Sequence, residues 1–490
     1  MSEDSTFCFS RLVVVSLLIA VSASQIHAAE TLRDPGELNR MRGILTVVWG
    51  DPAPWNSRSD VKKYFLLDDH RVTTEVLVTE NLVQAVGGSS MLDGRRVELV
   101  IEPKLEMSAN RPQKATAVVR SIRFLSNRDQ TKASKAVTGS RPWVSILCKF
   151  SDVASEPQPL SYFQNMYAST FPGLDHYWRE VSYNLANVSG SAAVAWVDLP
   201  HPVSRYETEG GGDLGAMVAD CTAAADSYVY FPDFVGINMM FNDSFGLYAW
   251  GGSRYLSLDG VSKRYSVTWE PPWGYANSCV MAHEMGHGFG LPHSNNADGD
   301  GDTYDNPWDV MSNAWGWALF DSTYRYLGKH TIAYHKDMLG WIGAAEKLDV
   351  NSYGVYRATL DHLTLQSTPN LRLITIQIPD SSRFYTVEVR DLAKYDGNLP
   401  GFAVIIHEVD SGRSQDAWLV DPIEPKNGAD EGAMWRVGEC FEDVPNQIRV
   451  CVQSVTTEGF EVQVSYGGAG DLFSNGFESG NTTAWSHVVP

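Results

Sequence analysis

The stretch His283-Glu284-Met285-Gly286-His287-Gly288-Phe289-Gly290-Leu291-Pro292-His293 has the form H-E-x-x-H-x-x-G-x-x-H. It constrains the fold more than any other part of the chain. Two His at i and i+4 can reach one ion only from one face of a helix. Ala276 to Gly288 therefore reads as a helix, with Asn277 or Ser278 as its N-cap. Gly290 stands where the chain must leave that helix sharply, and a residue without Cβ turns there at least cost. The turn returns His293 as a third ligand. Three imidazoles at this spacing suit a tetrahedral Zn²⁺ with one open position. Glu284 sits one residue round the helix, badly placed to ligate beside both His but well placed to take a proton from a metal-bound water. The chain has 12 His in 490 residues, so three in this register are very unlikely to be an accident.

After the motif comes Trp308-Asp309-Val310-Met311-Ser312, with Met311 eighteen residues beyond the third His. HEMGHGFGLPHS followed by this turn resembles the metzincin zinc endopeptidases. The flanks Trp143-Val144-Ser145-Ile146-Leu147-Cys148-Lys149-Phe150-Ser151-Asp152, Tyr177-Trp178-Arg179-Glu180-Val181-Ser182-Tyr183 and Gly340-Trp341-Ile342 resemble the immune inhibitor A-like secreted metalloproteases. Those enzymes commonly carry Asp as third ligand; His293 is closer to the gametolysin-like form. The resemblance covers roughly residues 140–345 and, more loosely, 346–465. It implies a metzincin-like (zincin) α/β catalytic domain, zinc held by His283, His287 and His293, Glu284 as general base, and Met311 packed beneath the ligands. The implied substrate is a protein or peptide. Some relatives block their zinc with a cysteine thiolate; no Cys occurs between Glu30 and Leu147, so that block is unavailable here. A non-catalytic secreted binding or adhesion protein on the same scaffold is the alternative. Such proteins usually lose the Glu or a ligand, and none is lost here. A zinc hydrolase acting on something other than protein has no feature in its favour.

A net charge of −21 argues against nucleic acid as a partner, because that would need a basic face. Arg11 precedes an apolar run from Leu12 to Ala23, with small residues up to Ala29, which reads as a secretory signal peptide over 1–29. That run is too short for a comfortable membrane span, and no other stretch is apolar enough, so no stable membrane anchor is expected. The expected product is a secreted monomer, exported as bacterial signal-peptide proteins are. Export permits disulfides among Cys148, Cys221, Cys279, Cys440 and Cys451. Of the pairings the spacings allow, Cys440–Cys451 would staple a hairpin-like loop. Cys221–Cys279 would tie a catalytic-domain helix to the motif helix, leaving Cys148 as a buried thiol.

The chain is too long for one ordinary domain. Residues 30–138 alternate strand-like runs with turns and read as a small N-terminal β domain, a candidate propeptide. Gln130 to Arg141 is polar, carries Lys132, Lys135 and Arg141, and suits a linker and cleavage region. Residues 139–345 read as the mixed α/β catalytic domain, in which an edge strand within Gly246–Tyr255 could add an extended peptide to the sheet. Residues 346–468 are β-rich and close most simply as a β-sandwich. Residues 469–490 read as a flexible tail that resembles those of some secreted bacterial proteins. Between the third His and Met311 lies a loop with Asp298, Asp300, Asp302 and Asp305. Alternating carboxylates and glycines suit Ca²⁺, although the Glu that closes an EF-hand is missing.

Overall fold

The computed structural model describes residues 39–55, 59–105, 115–125, 136–208, 211–300 and 302–467. The expected signal peptide over 1–29, the expected tail over 469–490 and residues 130–135 of the expected cleavage region lie outside the described residues. What is described is a mixed α/β protein made mostly of strands.

Ten strands share hydrogen bonds in one sheet system among the described residues. In chain order they are β1 (Asn39–Pro52), β2 (Val61–Asp68), β3 (Thr73–Leu77), β4 (Arg95–Leu105), β5 (Ala115–Phe124), β6 (Trp143–Lys149), β7 (Ala192–Asp198), β8 (Gly236–Phe241), β9 (Tyr248–Leu258) and β10 (Val261–Glu270). The pairings β1–β2, β2–β3, β3–β5, β5–β4 and β4–β1 run back to their start, so β1 to β5 close a small barrel. Leu45, Val47 and Trp49 alternate along β1 and point into the barrel core.

The same strand leaves the barrel at its far end. Residues Val48–Pro52 of β1 pair antiparallel with Gly252–Tyr248 of β9. Val48 packs with Trp250 and Val267 in a second core. A strand buried on both faces explains why β1 is apolar at consecutive positions, Val47-Val48-Trp49, rather than alternating. It also means that the edge of β9, expected to receive a peptide, carries β1 over Tyr248–Gly252.

Beyond β9 and β10 the sheet becomes parallel, in the order β10-β8-β6-β7. Its strands are nearly continuous buried runs because helices cover both faces. Leu160–Met166, Leu174–Val181 and the motif helix Ser278–Phe289 lie on one face, packed on Trp143, Leu147 and Met240. Helix Leu214–Ala225 lies on the other, packed on Val144, Ile146 and Met239.

This layering overturns the expected bond between Cys221 and Cys279. Cys221 belongs to the helix on one face and Cys279 to the motif helix on the other, with the sheet between them. Strand alternation aims Cys148 at the helix carrying Cys221, and these two are bonded. Cys279 is the buried free thiol, its pKa pushed up to about 12 by burial. Cys440 and Cys451 face each other in a hairpin ladder and are bonded as expected. Such bridges typically contribute about 2–4 kcal/mol each.

The C-terminal strands make two sheets. One runs Ser294–Asn295, Ala417–Leu419, Ala403–Val409, Phe384–Arg390, Leu373–Gln377, Lys347–Val350; the other runs Gly354–Asp361, Gly459–Tyr466, Ile448–Val455, Cys440–Asp443. Ile374, Ile376 and Val387 of the first pack with Val450, Val452 and Val462 of the second. The first strand of the larger sheet, Ser294–Asn295, directly follows His293. The C-terminal sheet therefore reaches the His283–His293 motif through the backbone itself.

Candidate metal centre

The motif helix begins after Asn277 and ends at Gly290, whose φ of 98° is left-handed. A Cβ there would cost about 1–2 kcal/mol, which accounts for the glycine. The turn brings His293 back to the helix. The three Nε2 atoms converge: His283 to His287 is 3.1 Å, His283 to His293 3.2 Å and His287 to His293 3.0 Å. All three residues are buried.

The outer ring nitrogens say what those Nε2 atoms are. His283 Nδ1 donates to the Val310 carbonyl and His287 Nδ1 to the Leu291 carbonyl, both at 2.7 Å. A carbonyl only accepts, so each Nδ1 carries a proton, and in the neutral form of such a ring the bare lone pair is the inward one on Nε2. Burial pushes the His287 pKa down to about 3, so its ring is neutral. Two bare lone pairs about 3 Å apart repel unless positive charge lies between them. A tetrahedral ion with nitrogen ligands at about 2.0–2.1 Å would hold them about 3.3 Å apart, close to what is seen. The residues thus fit a metal ion, and Asp51, His283, His287 and His293 form a buried group that could hold one.

The floor of the site is Met311, fully buried. A Cβ built on Gly286, between the two helical His, would lie 2.5 Å from Met311 Sδ. The turn that carries it is held hard. Asp309 accepts from Ser294 Oγ at 2.8 Å, Met311 N at 3.0 Å and Thr331 Oγ1 at 2.7 Å. His335, 3.0 Å away, and these donors keep its carboxyl well below the usual range against the opposing effect of burial. Lys329, also buried, donates to the carbonyls of Pro307, Asn313 and Gly316.

Glu284 is wholly buried, and neither carboxylate oxygen has a hydrogen-bond partner among the described residues. Burial, then the charges of Asp51 and Glu270, raise its pKa well above the usual value. A cation among the imidazoles would pull it back down. Gly251 of β9 lies against it, since a Cβ there would be 2.7 Å from Glu284 Oε2. Glu284 and His283 open onto a cleft of about 550 Å³ whose wall includes Val280, Thr303 and Ser312 to Trp315.

Sequence reasoning missed the groups that the barrel sends into this site. Asp51 Oδ1 lies 2.8 Å from His293 Nε2 and 3.4 Å from His283 Nε2; Oδ2 lies 3.4 Å from His287 Nε2. Tyr304 Oη donates to Asp51 Oδ1 at 2.6 Å. Trp49 stacks on His287 with centroids 4.8 Å apart and planes 4° from parallel. Asp60 Oδ2 is 3.5 Å from His293 Nδ1. Burial disfavours a charged His293, yet the Asp51 and Asp60 carboxylates hold its pKa up at about 9. The only local signal was a carboxylate at the end of an apolar strand, Val-Val-Trp-Gly-Asp-Pro.

In the acidic loop, Asp298, Asp300 and Asp305 bring carboxylate oxygens within 4.8 Å of one another, whereas Asp302 is not in that group. Successive side chains cap the amide two residues on: Asn296 to Asp298, Asp298 to Asp300, Asp300 to Asp302 and Asp302 to Tyr304. Compared with protein-family models and with curated proteins, the chain matches none.

Proposed function

We propose that this chain is a secreted zinc-dependent endopeptidase of the metzincin type, resembling the immune inhibitor A-like and gametolysin-like enzymes. One observation carries the reading: three inward imidazole Nε2 atoms converge beside a buried carboxylate that has no hydrogen-bond partner among the described residues, at the floor of an open cleft. His283, His287 and His293 would hold the zinc. When bound, zinc supplies a Lewis acid that polarises a peptide carbonyl and makes water more acidic. Glu284 takes the proton from the attacking water and returns it to the leaving amine. Its lack of partners suits that work, since both oxygens are free to bind and release a proton. The β9 edge over Tyr248–Gly252, which β1 covers in this structure, would align an extended peptide across the cleft by strand addition once β1 is displaced. Two disulfides support export.

Metal analysis should find one zinc per chain, lost in His287→Ala. Compared with the intact chain, Asp51→Ala should show casein clearing that a zinc chelator abolishes. Clearing that survives the chelator, or no zinc in either form, would defeat the reading.

Calcium is proposed for the loop that gathers Asp298, Asp300 and Asp305. Burial and the neighbouring Asp charges push the Asp305 pKa up to about 7. A folded value above the unfolded one, about 3.9, means that ionising Asp305 costs stability as pH rises through 7. Calcium binds the ionised form and reverses that cost. Added calcium should therefore raise the melting temperature at pH 8 and leave it nearly unchanged at pH 5. An equal effect at both values, or none at pH 8, would remove calcium from the loop.

A further inference from the structure

The edge of β9 over Tyr248–Gly252 is where an extended peptide would hydrogen-bond if it crossed this cleft, and β1 already lies there. Val48 to Pro52 run antiparallel to it residue for residue. Pro52, Ala53 and Pro54 continue along the cleft wall. At the metal group the same strand presents Asp51, 6% exposed, with a carboxylate oxygen 2.8–3.4 Å from each Nε2. A buried Asp beside a His has an ordinary structural reading, as an ion pair. That reading does not explain why one carboxylate faces the Nε2 atoms of three imidazoles at once. It also does not explain why Tyr304, on the loop after the third His, donates to the same carboxylate. Trp49, two residues before, covers the ring of His287.

We propose that Asp51 is a fourth, displaceable ligand of the metal held by His283, His287 and His293, and that Trp49–Pro54 is a tethered peptide lying in the substrate's place, so that the intact chain is latent. The inference rests on the metallopeptidase reading above and adds its regulation. A carboxylate oxygen is an ordinary zinc ligand, and Asp51 sits on the face that three-His coordination leaves open. Because the strand belongs to the same chain, its effective concentration is of millimolar order or more, well above that of most protein substrates. The barrel supplies the rigidity. β1 is paired with β2 and β4 behind the cleft, so Asp51 does not leave by local fraying.

The test uses the full chain loaded with Co²⁺, whose visible bands report the ligand set. Asp51→Asn keeps the shape and the Tyr304 contact but not the charge; Asp51→Ala serves if the amide still ligates. The expected result is a changed band pattern in the variants and acetohydroxamate binding, followed by those bands, tighter by about tenfold or more. Superimposable spectra and equal hydroxamate affinity in wild type and both variants would overturn the latch. A chain that takes up no Co²⁺ in any form would overturn the metal reading and the latch with it. Altered spectra and tighter hydroxamate binding without casein cleavage would uphold the latch and defeat only the peptidase assignment.

Discussion

Glu284→Ala, made in the Asp51→Ala chain, which lacks the carboxylate facing the three imidazoles, should lower casein turnover by about 10²–10⁴-fold while zinc content stays at one per chain. The structural argument separates chemistry from folding. Glu284 is buried and makes no hydrogen bond among the described residues, so its removal leaves no donor stranded. It also deletes a carboxylate whose pKa burial has raised well above normal, so the variant should melt no lower than its parent. Glu284→Gln tests the same point without leaving a cavity. Turnover within a few-fold of the parent in both variants would remove Glu284 as the base. Turnover lost together with zinc would mean that the carboxylate holds the site together rather than moving a proton.

The second large effect is expected far from the motif. Arg390, with no exposed surface, donates to Asp396 from Nε at 3.1 Å and Nη2 at 2.7 Å, to Glu388 at 3.3 Å, and to the Trp308 carbonyl. Trp308 lies just before the turn that carries Met311, so this guanidinium joins the C-terminal sheet to the floor of the metal site. Arg390→Ala would leave Asp396 and Glu388 buried without their counter-charge, costing about 3–5 kcal/mol. Arg390→Lys should rescue little, since an ammonium cannot span the forked contacts. Urea unfolding reads both. A midpoint for Arg390→Ala within error of wild type would show that the cluster contributes nothing net.

The parts legible in the sequence were those encoded by short spacing. The i, i+4 His pair, the glycine that turns the chain and Met311 all appear where their spacing places them, because helix geometry and one tight turn are local. The hairpin bond Cys440–Cys451 was legible for the same reason. Cys148–Cys221 was not, because it depends on which face of a buried parallel sheet each helix covers. Periodicity in a strand apolar on both faces does not report that. Asp51 was hidden more deeply. Its meaning lies in β1 changing partners from the barrel to β9, a long-range event that no window of residues records. Asp302 looked equivalent to its neighbours in sequence; in the folded loop it falls outside the group formed by Asp298, Asp300 and Asp305.

The short ladder of Ser294–Asn295 with Ala417–Trp418 sets an order of events during biosynthesis. A polypeptide emerges from the ribosome, or from an export channel, amino end first. The barrel with Asp51 and the helix with His283 and His287 are therefore available before Ala417 is. Until that later strand has emerged, Ser294–Asn295 lacks its ladder partner. The backbone that follows His293 therefore gains its ladder only after the strand that carries Asp51 has long since been made.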